Sequence, residues 1–239
     1  MRWYYLQHVP FEGPGYLARW AHEQGHEITP VTLWQGDSFP QLGDFDGLFV
    51  LGGPMNVDEE ARYPWLAAEK IFLREAAAAG KAILGVCLGA QLLSVVLGGS
   101  VASNSGKEIG WYPVRLTRVG RAHALFRDFP AEFTAFHWHG DRFAIPPGGA
   151  LTAESVACPH QAFVMGERVV GLQFHLEMTG ESVASLIRHC PLDLAAGPWV
   201  QTPKDLYAGL EPTMAESHRL LGTLLSRLGE AGAMAALSF

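Results

Sequence analysis

Short apolar stretches alternate with helix-like stretches along the first hundred residues of the chain. The apolar stretches are rich in aliphatic and aromatic residues and end in glycine or polar clusters, which is typical of buried strands. The helix-like stretches stop at glycine, the usual residue just past a helix end. Such alternation predicts parallel strands joined by helices. In chain order we predict a strand at 3–9, a helix at 16–24, strands at 26–33 and within 47–54, a helix at 64–79, a strand at 82–86 and a helix up to 97.

The stretch 100–173 has a different pattern, in which short strand-like pieces are separated by proline and glycine turns. It predicts an antiparallel or mixed section beside the parallel strands. A helix at 179–188 and an amphipathic C-terminal helix at about 213–228 follow. We therefore expect an α/β fold with a doubly wound, mostly parallel sheet flanked by helices, a flavodoxin-like three-layer sandwich with a mixed/antiparallel section. Because no repeat or low-complexity linker interrupts the pattern, we expect residues 1–239 to form a single domain.

Composition narrows the class of protein and of partner. The 239 residues are 49% hydrophobic and 17% charged, as expected of a soluble globular protein. A net charge of −7 argues against nucleic acid and anionic membranes as partners, because both require a basic surface. No run of ~20 apolar residues is present. The three cysteines are widely spaced and do not suggest a disulfide framework, so we expect a cytoplasmic protein.

The stretch GVCLGAQLL (85–93) places Cys87 between a predicted strand and a predicted helix. A nucleophile at such a corner projects from the carboxyl end of the sheet, where open α/β folds keep their ligand crevice. Small flanking residues permit the tight turn, and the following helix N-terminus stabilises a thiolate. Buried free cysteines are nevertheless common and usually inert. The corner alone therefore leaves both interpretations open.

A cysteine nucleophile requires a base and a group that orients the base. GLQFHLEMT (171–179) supplies His175 and Glu177, two residues apart at the end of a predicted strand. On an extended chain their side chains point to the same face, so the carboxylate can hold one imidazole nitrogen while the other faces a thiol. Exposed polar residues at a strand end are the plain alternative. The corner and this pair together favour catalysis.

The motifs VLGGPMNV, GVCLGAQLL and GLQFHLE, in this order, resemble the class I (triad-type) glutamine amidotransferase superfamily. The resemblance covers about residues 45–190. Within the superfamily the chain is similar to the glutaminase domain of GMP synthase, and we expect it to be a stand-alone member. It implies a set of site residues: a catalytic triad of Cys87, His175 and Glu177, an oxyanion hole formed by the backbone N–H groups of Gly53 and Leu88, and Gln91 at the amino-acid end of the substrate.

The resemblance implies hydrolysis of the γ-amide of glutamine, or of a γ-glutamyl compound, through a γ-glutamyl thioester on Cys87. Neither a metal nor an organic cofactor is implied. The first hypothesis is an amidotransferase that supplies ammonia to a partner synthetase. The second is a stand-alone γ-glutamyl peptide or amide hydrolase. A non-enzymatic, stress-type member of the fold is a weaker third hypothesis.

Two further segments, 136–141 and 190–209, can each be interpreted in more than one way. FHWHGD (136–141) has the His-x-His-x-Asp spacing of binuclear metal sites, but Arg142 stands where such sites need another histidine. We expect no metal, and expect His139 and Asp141 to support the wall of the substrate pocket, with solvated turn residues as the alternative. The segment 190–209 fits a lid, a partner surface or simple packing.

Overall fold

The computed structural model describes residues 1–236, with side chains described through residue 230. Within this range it contains nine strands and seven α-helices. The strands are β1 (Arg2–Gln7), β2 (Glu27–Thr32), β3 (Gly47–Val50), β4 (Ala82–Val86), β5 (Val101–Leu116), β6 (Glu132–Phe143), β7 (Ala150–Glu154), β8 (Ala162–Met165) and β9 (Val169–Leu172). The helices are α1 (Tyr16–Glu23), α2 (Trp65–Ala78), α3 (Leu88–Val96), α4 (Arg118–Ala122), α5 (Gly180–His189), α6 (Pro203–Ala208) and α7 (Leu210–Ala236).

The strands lie in one mixed sheet in the order β2-β1-β3-β4-β9-β8-β7-β5-β6. From β2 to β9 all neighbours are parallel, and from β9 to β6 all are antiparallel. The predicted antiparallel section is therefore a continuation of the same sheet. Strand β9 joins the two halves, because it pairs parallel with β4 and antiparallel with β8.

Hydrophobic side chains leave the parallel strands alternately toward two cores, as the period of two in a strand requires. On one face Trp3, Phe49 and Leu84 pack against α1 and α7. On the other face Leu48 and Ile83 pack against α2 and α3. This three-layer arrangement confirms the predicted fold class.

The C-terminal helix is longer than the predicted 213–228, because it extends across Leu210–Ala236. Its apolar stripe is buried on the sheet, as the leucine spacing indicates; the stripe comprises Leu220, Leu221, Leu224, Leu225 and Leu228. Of the helices in the described residues, none combines the length and apolar character needed to cross a membrane.

Candidate active site

Cys87 directly follows β4 and caps the N-terminus of α3, at the carboxyl edge of the parallel strands. Among the described residues it is the one non-glycine with a positive φ, at 52° with ψ of −110°. Such a backbone conformation costs about 1–3 kcal/mol and occurs where the surrounding structure enforces it. The flanking glycines permit the turn: a Cβ on Gly89 would overlap the Val50 carbonyl, and one on Gly85 would lie 2.6 Å from Gly89. The corner is therefore a strained strand-to-helix turn with the geometry of a nucleophile elbow.

His175 and Glu177 lie just past the end of β9, which is the neighbour of β4. Backbone hydrogen bonds to Phe136 on β6 fix His175, with its amide 2.8 Å from the Phe136 oxygen. The His175 Nδ1 and Glu177 Oε1 atoms are 2.6 Å apart, and Glu177 Oε2 accepts from the Leu176 amide at 3.0 Å. The carboxylate is thus held against one side of the imidazole ring.

The other ring nitrogen of His175 faces the elbow. Nε2 is buried and has no hydrogen-bond partner among the described residues. Burial alone would lower the pKa of His175, but the Glu177 carboxylate and the Cys87 sulfur more than offset it, so this pKa lies well above its ordinary value. Both side chains line the same cavity. The sheet order therefore brings the three predicted triad residues together, although Cys87 and His175 are 88 positions apart in the chain.

The predicted oxyanion donors flank this pair. Leu88 is the first residue of α3, and the N–H groups of a first helical turn have no acceptor within the helix. Gly53 follows β3 and lines the cavity, where a Cβ would lie 3.0 Å from both the His8 Cβ and Leu88 Cδ2. Leu88 therefore adjoins Cys87 in the chain, and Gly53 lies against the Leu88 side chain at the cavity.

The predicted substrate-binding residues line the cavity wall. Gln91 lies one turn into α3, and its amide nitrogen is 3.2 Å from Gln173 Oε1. His139 and Asp141 lie on β6 and also face the cavity. Both ring nitrogens of His139 are engaged: Nδ1 is 2.9 Å from the Asp141 backbone oxygen and Nε2 is 3.0 Å from Glu108 Oε2.

The FHWHGD stretch contributes to a buried cluster, although not through its aspartate. His137, His139 and Glu108 have ligand-type atoms within 4.8 Å of one another, whereas Asp141 is not a member. The Glu108 carboxylate is already held by His139, Ser155 and Gln161 at 3.0, 2.8 and 2.7 Å. Burial lowers the pKa of His137 to about 4, so this histidine is neutral. The cluster is a packed hydrogen-bond network.

The cavity has a volume of about 550 Å³ and extends from the elbow past β5 and β6. The segment 190–209, left open above, forms part of its wall. Asp193 accepts a hydrogen bond from Trp138 Nε1 at 3.1 Å and pairs with Lys107, while Gln201 bonds the backbone of Trp111 on β5. Packing against β5 therefore places this segment at the mouth of the cavity.

Three polar residues of this region were not singled out from the sequence as site residues. Glu12 lines the cavity next to His175, and burial, only partly offset by His175 and His8, raises its pKa to about 7. His8 and Glu69 lie behind the glycine loop that contains Gly53. A loop glutamate and a strand-end histidine carry no local signal, because their partners come from distant parts of the chain.

A doubly wound sheet with a cysteine corner beside a histidine–glutamate pair at its carboxyl edge defines the class of α/β protein to which the comparisons can be applied. The chain belongs to the class I glutamine amidotransferase family, whose model ("Glutamine amidotransferase class-I") matches residues 17–190. The glutamine amidotransferase-like protein YfeJ of Salmonella typhimurium is 37% identical over 199 residues, covering 82% of this chain and 83% of the relative.

Two further comparisons agree with this assignment. A GMP synthase (glutamine-hydrolyzing) of Thermomicrobium roseum is 36% identical over 144 residues, 59% of this chain but 25% of that protein's length. The crystal structure of a glutamine amidotransferase from Thermotoga maritima has a TM-score of 0.89 and 31% identity, covering 96% of this chain and 98% of the other. Family membership is consistent with hydrolysis of the glutamine amide.

Proposed function

We propose that this protein hydrolyses the γ-amide of glutamine, or of a γ-glutamyl compound, through a thioester on Cys87. One observation supports this most strongly: His175 is held by Glu177 at 2.6 Å, while its buried Nε2 has no partner in the described structure and faces the strained elbow. A nucleophile, a base and an orienting carboxylate are thereby arranged as nucleophilic catalysis requires.

In the first half of the reaction the Cys87 thiolate attacks the γ-carbonyl carbon and a C–S bond forms. The carbonyl oxygen takes the negative charge, and the N–H groups of Gly53 and Leu88 stabilise it, each by about 3–4 kcal/mol in comparable sites. As the C–N bond breaks, His175 gives its proton to the departing nitrogen. Ammonia, or an amine, leaves and the γ-glutamyl thioester remains.

In the second half His175 takes a proton from water, and the resulting nucleophile attacks the thioester carbon. The C–S bond breaks, the γ-carboxyl group leaves as part of glutamate and loses its proton to solvent, and the thiolate is restored beside the protonated imidazole. The Glu177 carboxylate orients the ring and stabilises the imidazolium. Gln91, with His139 and Asp141 on the opposite wall, contacts the amino-acid end of the substrate.

The fate of the nitrogen separates two versions of this function. In the first, the ammonia passes to a partner synthetase, as suggested by the similarity to GMP synthases. The second, a γ-glutamyl peptide or amide hydrolase, is favoured by the size of the cavity, which continues past the elbow to Asn104 and Gly106. That space is open to a leaving group larger than ammonia.

Thiol chemistry tests the nucleophile. Cys87→Ala should abolish amide hydrolysis, and iodoacetamide should label Cys87 before the other two thiols. Burial raises the pKa of Cys158 and of Cys190 to about 11, so their thiolates are scarce at neutral pH. Cys190→Ala is the matched control, because Cys190 lines the same cavity. Hydrolysis that survives Cys87→Ala contradicts the thioester mechanism.

A steady-state comparison of substrates distinguishes the ammonia supplier from the γ-glutamyl hydrolase. Glutamine, γ-glutamyl anilide and a γ-glutamyl dipeptide are offered to the isolated protein, and kcat/KM is measured for each. An ammonia supplier should hydrolyse glutamine slowly until its synthetase is added, whereas a γ-glutamyl hydrolase should prefer the larger amines without any partner. Rapid hydrolysis of free glutamine alone would contradict both versions and indicate a plain glutaminase.

A further inference from the structure

The peptide between Gly52 and Gly53 lies directly beside the nucleophile. A Cβ placed on Gly52 would be 3.5 Å from His175 Cε1 and 3.7 Å from the Cys87 Cβ. Within the proposed function, the N–H of this peptide is the Gly53 oxyanion donor. Its direction therefore matters to the reaction, because donors act only when they point to where the negative charge develops.

The carbonyl of the same peptide is held from behind by a buried pair. His8 Nδ1 is 2.9 Å from the Gly52 oxygen, and His8 Nε2 is 2.9 Å from Glu69 Oε1. The side chains of His8 and Glu69 are both 0% exposed. His8 follows the end of β1 and Glu69 lies on α2, so three elements converge on one peptide group.

Peptide geometry couples the two sides of this group. All peptide bonds in the described chain are trans. In a trans peptide the C=O of Gly52 and the N–H of Gly53 lie in one plane and point in opposite directions. A donor that fixes the oxygen behind the loop therefore fixes the direction of the N–H in front of it.

The pair also polarises the peptide from behind. The Gly52 oxygen can only accept, so His8 Nδ1 carries a proton. Burial alone would lower the pKa of His8, but Glu69 and the Gly52 carbonyl more than offset it, and the pKa is raised. An imidazole N–H that donates to the carbonyl while the other ring nitrogen faces a carboxyl group polarises the amide, because hydrogen bonds in such a chain strengthen one another.

We propose that His8 and Glu69 are positioning residues for amide hydrolysis, which orient and polarise the Gly52–Gly53 peptide so that the Gly53 N–H meets the oxyanion. The inference rests on the proposed function, since it needs an oxyanion at Cys87. His8 and Glu69 contact neither the substrate nor Cys87, so they act only through the Gly52–Gly53 peptide.

Two substitutions of His8 separate positioning from packing. Asn places an amide N–H where Nδ1 stands, so His8→Asn keeps the donor to Gly52 but leaves Glu69 without its partner. Gln places an amide N–H near Nε2, so His8→Gln keeps a partner for Glu69 but loses the donor to Gly52. A purely structural role would make His8→Gln the more active variant, because it avoids an unpaired buried carboxyl group.

If the pair positions the peptide, the order of activity of the two variants is reversed. We expect kcat of His8→Gln to fall about 10–100-fold with KM nearly unchanged, as for loss of an interaction made only in the transition state. His8→Asn should be the less stable protein yet the faster enzyme. Glu69→Gln keeps the geometry and removes the charge, so its kcat should fall less than that of His8→Gln. Glu75→Gln, an exposed change on the same helix, is the matched control and should leave kcat unchanged.

Alkylation of Cys87 by iodoacetamide completes the test, because that substitution passes through no oxyanion. Its rate should be the same in wild type and in His8→Gln, which shows that the elbow and its base are intact. Equal loss of alkylation and hydrolysis in His8→Gln, or faster turnover by His8→Gln than by His8→Asn, overturns the inference. Failure of the proposed function has a different result, which is hydrolysis that persists in Cys87→Ala.

Discussion

Two buried histidine–glutamate pairs adjoin the cavity and differ in what they leave unsatisfied. In the first, His175 bonds Glu177 through Nδ1 at 2.6 Å, and its Nε2 has no partner in the described structure. In the second, His139 bonds Glu108 through Nε2 at 3.0 Å, and its Nδ1 is engaged by the Asp141 carbonyl. A carboxylate next to a histidine is therefore not enough to make a base.

The difference follows from where each pair lies in the sheet. His175 comes from a strand end that opens onto the neighbouring elbow, whereas Glu108 and His139 face each other across the middle of the β5–β6 ladder. The Glu108 side chain, in the interior of this ladder, is enclosed by the connection between β7 and β8, which supplies Ser155 and Gln161 as further partners. The strand end leaves one ring nitrogen of His175 without a partner in the described part of the chain, whereas both ring nitrogens of His139 are engaged.

The largest effects are expected from the first pair. His175→Ala removes both the base and the acid, so hydrolysis should approach the level of Cys87→Ala. Glu177→Gln retains a group that can accept from Nδ1 but loses the charge that stabilises the imidazolium. We expect it to keep measurable turnover, about tenfold or more above His175→Ala. Single-turnover release of ammonia from glutamine measures both.

The corresponding change in the second pair, Glu108→Gln, is the matched comparison for Glu177→Gln. It should reduce kcat by a much smaller factor, because His139 takes no part in proton transfer. A Glu177→Gln enzyme as inactive as His175→Ala, with an intact fold, would contradict the orienting role given to Glu177. Loss of turnover in Glu108→Gln as severe as in Glu177→Gln would contradict the distinction between the pairs.

The sequence predicts the first pair better than the second because its information is local. Gly85 and Gly89 lie two residues from Cys87, and His175 and Glu177 are two residues apart, so spacing alone indicates the elbow and the paired side chains. The parallel half of the fold follows from alternation of apolar and amphipathic stretches for the same reason. Only the pairing of β4 with β9 depends on tertiary structure. The position of His175 and Glu177 at the end of a strand already indicates that they can lie at the same sheet edge as Cys87.

The second pair depends on register across a long hairpin. Glu108 stands opposite His139 because β5 and β6 pair across an irregularity between Ser103 and Glu108. A one-residue shift would reverse which side chains share a face, and nothing in either strand alone fixes it. His8 and Glu69, 61 positions apart, are hidden in the same way. The sequence thus indicates pairs of residues that are close in the chain, whereas it does not indicate pairs that are brought together only by the fold.

The next largest effect is on stability, and it concerns the second pair. Glu108→Gln should lower the free energy of unfolding by about 2–4 kcal/mol. The new amide NH2 group would face the N–H donors of Gln161 and His139, and the negative charge that these donors stabilise would be lost. Urea unfolding followed by tryptophan fluorescence measures this change. Glu154→Gln, on neighbouring β7, is the control: its ion pair with Arg115 is solvent-exposed and should contribute less than about 1 kcal/mol.

A chelator distinguishes a hydrogen-bond network from a metal site at the same residues. EDTA should change neither the unfolding midpoint nor the hydrolysis rate. Metal-dependent stability that disappears in Glu108→Gln would show instead that Glu108, His137 and His139 bind an ion. A Glu108→Gln protein as stable as wild type would contradict the structural importance of the network.

The smallest effect concerns Glu12, the carboxyl group that adjoins the first pair. Burial raises its pKa from 4.5 to about 7, so the folded protein disfavours its ionised form. The resulting cost to stability is absent below pH 4.5, grows as the pH rises and is complete above pH 7. Because part of the side chain is open to the cavity, we expect Glu12→Gln to stabilise the fold by about 1–2 kcal/mol at pH 8 and by much less at pH 5. Urea unfolding at the two pH values measures the difference, with the exposed Glu132→Gln as control. A gain that is equal at both pH values would mean that lost ionisation is not its cause, and would contradict the raised pKa of Glu12.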